Sequence, residues 1–343
     1  MISELTRRRL RNFRKIRRAY ISLLILGTAF ILSLGSELIA NDKPLYLSYQ
    51  GQSYFPVVRF YPATEFGGAY GTEPDYLRLR EDSAFRQKGG KMIFPPIPYG
   101  PLRTNLELEG NPPHAPSRQH WLGTDDTARD VLARLIYGFR ICMAFALLLA
   151  LADAVMGTVI GGVQGYLGGK VDITVQRLVE IWASLPFLYV VILLGSVYGR
   201  SFSILLFIMV IFEWVALSYY MRGEFLKLKN LTYVKAAKAL GFGPARIFFR
   251  EILPNALTPV ITLLPFTVVA GISSLTALDF LGFGLPPPTP SWGEMLQQGL
   301  ENLQAPWIAI SAVTALFATL LLATFIGEGA REAFDPRPGH HIE

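Results

Sequence analysis

Six stretches of the chain are almost continuously apolar: residues 20–40, 141–163, 178–198, 202–221, 257–277 and 306–326. Each matches the roughly 20 residues a helix needs to cross a bilayer's hydrocarbon core. Soluble core helices rarely run so far without a polar face. The pattern predicts an all-α integral membrane protein with six transmembrane helices. Residues 41–125 break it. Segments such as YFPVVRFYPATEFGGAYG and KMIFPPIPYGPLRT are rich in Pro, Gly and aromatics, which predicts short strands and turns rather than helices. This irregular insertion is expected to lack an independent core, and it serves either as a structural lid or as a docking surface. HWLGTDDTARDVLARLIYGFR follows, predicting an interfacial helix capped by Thr127 or Asp126. Val131, Leu132, Leu135, Ile136 and Phe139 would line its apolar side, with Arg129, Asp130 and Arg134 opposite.

A second polar interval, residues 233–257, reads YVKAAKALGFGPARIFFREILPNAL. Residues 235–240 predict a short helix with Ala236, Ala237 and Leu240 on one face, Lys235 opening it. Gly241 and Gly243 end it, because glycine accepts a sharp turn or positive φ. Pro244 suits the first turn of a second helix over 245–253, which would carry Arg246 and Leu253. Pro254 would then kink the entry into the fifth span. The product is a helix–turn–helix elbow with small side chains at its tip and basic residues to orient it, a shape suited to seating in another protein's groove.

Charge orients the chain. The sequence is 51% hydrophobic and 17% charged, with a net charge of +6. Arg7, Arg8, Arg9, Arg11, Arg14, Lys15, Arg17 and Arg18 stand before the first span. Between Arg222 and Arg250, seven basic residues face a single acid, Glu224. Both runs belong on the cytoplasmic side by the positive-inside bias. The first span has no A-x-A site after it and is expected to stay as an anchor. The expected organisation is a basic cytoplasmic segment 1–19, a first span 20–40, the periplasmic insertion 41–125, a five-span core 126–335 containing the cytoplasmic loop 222–256, and a cytoplasmic tail 336–343.

No catalytic constellation stands out. Gly168-Gly169-Lys170 is followed by Val171, so no Walker A loop exists. Gly282-Phe283-Gly284 is a lone GxG in a Pro-rich loop and reads as a turn. Cys142 is the single cysteine and reads as a small buried hydrophobe. His114 and His120 fall in a flexible insertion and His340-His341 in the tail, without metal-ligand spacing. Asp153 and Glu213 lie within spans, where a carboxylate is expensive and is expected to line a water-filled path or pair with a neighbouring helix. Glu180 and Asp279, near span ends, favour a structural role. Pro186, Pro259 and Pro265 would kink their helices.

Ala236-Ala237, Gly241 and Leu253-Pro254 resemble the "EAA" loop of ABC importer permeases. LGTDDTARDVLARLIYGFRI, GYLGGKVDITVQRLVEIWASLP, ILPNALTPVI and LDFLGFGLPPPTPSWGEML are similar to the matching segments of dipeptide, oligopeptide and nickel permeases. The resemblance covers residues 120–335. SELIANDKPL, the long insertion and NLQAPW look most like the second permease of microcin C/peptide importers. The resemblance implies a sister permease, a cytoplasmic ATPase that binds ATP and Mg, a periplasmic binding protein and a peptide or peptide-like substrate. It implies no cofactor or metal in this chain, no enzymatic activity and no nucleic acid. Lys235 stands where the loop usually has Glu. Ala128 replaces a Gly, which is expected to favour a continuous helix there. A proton-coupled secondary transporter, with Asp153 and Glu213 as relay, is the main alternative; no inverted repeat supports it.

Overall fold

The computed structural model describes residues 4–334; the expected tail 336–343, with its His340-His341 pair, lies outside them. Helices α1 (Glu4–Lys15) and α2 (Arg17–Leu34) lead into the insertion. There β1 (Tyr46–Tyr49) pairs antiparallel with both β2 (Gln52–Tyr54) and β3 (Lys91–Ile93). Helices α3 (Tyr76–Glu81) and α4 (Ser83–Gln87) lie between β2 and β3. The core follows as α5 (Val131–Leu167), α6 (Gly169–Ala183), α7 (Phe187–Tyr198), α8 (Phe202–Leu228), α9 (Thr232–Ala239), α10 (Pro244–Arg246), α11 (Leu253–Phe280), α12 (Trp292–Glu301) and α13 (Pro306–Phe334).

Five helical stretches are long and apolar enough to span a membrane, and a sixth exists if α6 and α7 count as one span bent by 71°. The break falls at Ser184–Pro186 because Pro186 has no N–H to donate and pushes the preceding residue away from helical geometry. Pro259 and Pro265, by contrast, sit inside an unbroken α11. Exposed apolar side chains such as Leu24, Ile31, Leu151, Val155, Ile310 and Phe317 belt the bundle, as a bilayer-facing surface requires.

The insertion departs from expectation in two ways. It contains helices, each started by an aspartate: Asp75 accepts from the N–H groups of Leu77 and Arg78, and Asp82 from that of Ala84. It also has its own core of Leu47, Tyr49, Phe66, Tyr76 and Phe85, with the Tyr49 and Phe85 rings stacked at 5.1 Å.

The expected interfacial helix does not form from Thr127. Asp125 organises a turn instead, accepting from the N–H groups of Thr127 (3.0 Å) and Arg129 (2.9 Å). Ala128 adopts φ +59° within it. That left-handed backbone costs a non-glycine residue on the order of 1–2 kcal/mol, so Ala128 does not extend a helix here. Asp130 caps α5, accepting from Ala133 N–H at 2.7 Å. The helix then runs unbroken through the second apolar stretch, because nothing between Val131 and Ile141 interrupts it.

The charged residues expected on a solvated face are buried. Arg129 donates to Asp125 (2.7 Å) and Glu294 (3.2 Å), and the fully buried Arg134 donates to Glu294 at 2.6 Å. His120, expected in a flexible loop, is buried. Its Nδ1–H donates to Asp130 at 2.8 Å, and its Nε2 accepts from Asn105 at 3.1 Å. These groups pin the insertion end of α5 to α12.

Candidate functional site

At the opposite end of the bundle, α8 turns into α9. Val234 and Ala237 hold α9 down, buried in one apolar cluster with Phe225, Leu228, Ile247 and Ile252. Lys235, Ala236, Lys238 and Leu240 lie on the exposed side, Leu240 at 73%. Ala236 and Leu240 therefore share the outer face, one turn apart, whereas Ala237 packs inward. Gly241 follows with φ +78°, and a Cβ added there would meet nothing within 4 Å. Gly243 is the N-cap and Pro244 the first residue of α10. Arg246 lays its guanidinium 3.6 Å from the centre of the Phe242 ring.

The helix begun at Pro244 continues to Phe280 as one stretch, so Pro254 does not break it. Pro254 cannot donate to the Arg250 carbonyl, and its ring crowds that oxygen. A π-helical segment at Ile247–Ile252 lies directly before it and shifts the hydrogen-bond register. Leu253 is half-buried against the same apolar cluster.

Two sets of contacts fix the base of the elbow, and neither was anticipated from the residues. Arg222 donates to both oxygens of Asp172, at 2.5 and 2.8 Å. Lys229 donates to the Gly165 carbonyl at 2.7 Å. These bonds tie the end of α8 to α6 and to the end of α5. Gly157, Gly161 and Gly165 then form a seam against α8. A Cβ on Gly157 would lie 2.8 Å from that of Leu217, one on Gly165 2.5 Å from the Arg222 carbonyl, and one on Gly161 would run into the Ser218 carbonyl. Small residues every fourth position let two membrane helices approach closely, and that spacing was the available signal in the sequence.

Asp153 and Glu213 sit on the adjacent helices α5 and α8, within electrostatic reach of each other and beside Thr267 of α11. Asp153 is buried, one of its carboxylate oxygens lacking a hydrogen-bond partner, and Glu213 is half-buried. The two other carboxylates have structural partners. Glu180 is exposed and accepts from Arg177 at 2.6 Å, while Asp279 accepts from Leu285 N–H (2.6 Å) and the Ser291 hydroxyl (2.5 Å). Among the described residues no cluster of His, Cys, Asp and Glu could hold a metal ion.

Residues 157–340, which contain the glycine seam, the elbow and α11 to α13, match the family model of the binding-protein-dependent transport system inner membrane component. This chain belongs to that family. The permease is 46% identical over 338 residues to the inner membrane ABC transporter permease protein YejE of Escherichia coli (strain K12), with 98% of each chain covered. It is 43% identical to the peptidoglycan transport system permease protein YejE of Agrobacterium fabrum (strain C58 / ATCC 33970), covering 98% of this chain and 94% of that one. The dipeptide transport system permease protein DppC of Bacillus subtilis (strain 168) is 36% identical, over 70% of this chain and 75% of its own length. As a member of this family, the permease is a multi-pass inner-membrane subunit of an ABC importer, and ATP hydrolysis belongs to a separate subunit.

Proposed function

We propose that this permease forms one half of the membrane path of a peptide importer and receives ATP-driven motion through its α9–α10 elbow. The chain would then cross the membrane six times, with the bent α6–α7 pair as the third span and with α1 and the elbow in the cytoplasm. The basic residues of α1 and of the 222–250 interval gather at that end, which supports the orientation. A periplasmic binding protein would deliver cargo at the insertion end. A sister permease would complete the path; α6 and α7 leave Ile173, Ile181, Tyr189 and Leu193 exposed, a face suited to another helix bundle or to lipid. Relatives named for peptidoglycan and dipeptide transport support a peptide cargo. Asp153 and Glu213 would border the path, where acidic groups suit a substrate ammonium.

The observation that carries the coupling role is the elbow's construction: a tip of Ala236, Leu240 and Gly241 open to a partner, on a base that Val234 and Ala237 fix from below. Cys142 is buried, so a Leu240→Cys variant presents one reactive thiol. With a cysteine scan across the cytoplasmic ATPase, a short bifunctional maleimide should join the two proteins in membranes. Failure of every pairing, or labelling of that cysteine from the periplasmic side, would refute the role.

A further inference from the structure

One cavity at the elbow end has no part in the elbow itself. It has a volume of about 460 Å³ and opens between α8, α11 and the end of α13, with Tyr220, Thr258, Thr262, Phe266 and Arg331 among its lining residues. Its chemistry is one-sided. Arg331 supplies a fixed positive charge, and no acid lines the cavity. The acids nearest Arg331 along α13 point elsewhere: Glu328 and Glu332 approach Arg18 of α2 at 3.6 and 3.9 Å. Thr262 spends its hydroxyl on the carbonyls of Thr258 and Pro259. Tyr220 and Thr258 line the same space as Arg331, and each carries a hydroxyl able to donate. A guanidinium and two hydroxyl-bearing residues beside the apolar Phe266 and Leu263 fit a carboxylate attached to an apolar body.

The position adds a second constraint. Tyr220 lies seven residues beyond Glu213 on α8, about 10 Å nearer the elbow at 1.5 Å per residue. The buried Asp153 stands on the neighbouring helix beside Glu213. The Tyr220 wall of the Arg331 cavity thus follows the acidic pair along the bundle at about the end-to-end length of three extended residues.

We infer that the Arg331 cavity is the carboxylate station of the transport path, taking the free C-terminus of a short peptide whose ammonium group lies towards Asp153 and Glu213. The inference rests on the peptide reading above and adds to it a residue that sets specificity. The permease, reconstituted in proteoliposomes with its sister subunit, ATPase and binding protein, is tested with trialanine and trialanine amide, which differ only at the C-terminal group. A charge-assisted hydrogen bond is worth on the order of tenfold, so Arg331→Gln should lower the acid-to-amide uptake ratio about tenfold by slowing trialanine alone, and Arg331→Lys should restore part of it. Arg331→Gln is scored only in complex recovered at the wild-type level, and Thr258→Val, which removes one donor and no charge, should shift the ratio the same way by a smaller factor. An acid-to-amide ratio unchanged in both variants overturns the inference, whether or not the wild type excludes the amide. So does an equal loss of both peptides, as a purely structural or lipid-phosphate role for Arg331 would give. If the wild-type complex imports neither peptide, the peptide reading itself falls.

Discussion

Truncating Leu240 separates docking from folding. Its side chain is 73% exposed, so about three quarters of the ~1.5–3 kcal/mol that burying a leucine yields remains available to a partner, on the order of 1–2 kcal/mol. Leu240→Ala should therefore weaken ATPase binding about 5- to 30-fold, at about 1.4 kcal/mol per tenfold. Within the permease it should change stability by less than about 0.5 kcal/mol, as for an ordinary exposed site. Val234, six residues earlier, is fully buried. Val234→Ala removes two methyl groups and leaves a gap, costing about 1.5–3 kcal/mol of permease stability. Ala237→Leu would overpack the same cluster at a cost of about 1–3 kcal/mol, so it tests folding and not docking.

The assay has two arms: thermal unfolding of the purified permease, and ATPase affinity together with peptide imported per ATP in nanodiscs or proteoliposomes. Leu240→Ala should fall in the binding and coupling arm alone, and Val234→Ala in the unfolding arm. If Leu240→Ala lowers the thermal midpoint as far as Val234→Ala does, the exposed tip is a packing element. If ATPase affinity stays within twofold, the tip is not seated in the partner. Either result refutes the reasoning.

Gly161→Ala should destabilise the permease by about 1–3 kcal/mol, because its new Cβ meets backbone of Ser218 and Arg222 that cannot rotate away; Gly223→Ala, with nothing within 4 Å, is the control and should be neutral or slightly stabilising in the same thermal assay. In the insertion, burial pushes the Asp75 carboxyl up, but two hydrogen bonds from Arg103, its charge and the N–H groups of α3 more than offset this and leave the pKa below the ordinary value. A group depressed on folding contributes stability that is complete above the unfolded value of about 3.9 and is lost as pH falls through the folded one. Proteolysis of the insertion in the intact permease should therefore accelerate below about pH 4, and Asp75→Asn should flatten that dependence; an identical pH profile in the variant would assign it to other groups.

How legible each feature was depended on the range of the interactions behind it. Apolar runs and the Gly241–Gly243–Pro244 punctuation act within a few residues, so the spans and the elbow could be read directly. The buried network at the other end could not. Arg134 and Glu294 are 160 residues apart and meet only because α12 folds back onto the start of α5. On the chain, Arg129, Asp130 and Arg134 have the spacing of a solvated helix face, and local pattern cannot distinguish a charge facing water from one facing a partner. The same limit hid the core of the insertion, whose aromatic members Tyr49, Phe66, Tyr76 and Phe85 are separated by turns that look flexible. Ala128 misled for another reason. Its side chain favours helix, yet the hydrogen bonds Asp125 makes to the following N–H groups impose a left-handed turn that propensity alone would reject.

The elbow can act as a lever only if its base is stiffer than its tip, and the contacts favour that arrangement. Val234 and Ala237 join α9 to the π-helical segment and the end of α8. The glycine seam leaves no slack between α8 and α5, and the Asp172–Arg222 pair carries the same attachment to α6. Displacing Leu240 must therefore move the elbow-side ends of α5, α6, α8 and α11 together, since interdigitated side chains transmit strain where gaps would absorb it. At the far end Arg134 and Glu294 hold α5 to α12, so that end resists the displacement. The break at Ser184–Pro186, between α6 and α7, is held against α8: Trp182 donates to the Ile211 carbonyl at 2.9 Å, and the Trp182 and Phe187 rings both pack on Phe212. It lies within the segment read as the third span, where backbone bonds are already interrupted and the chain already bends by 71°. A push at the elbow that bends this joint further must carry Phe212 with it, so the α6–α7 joint and the middle of α8 would shift together.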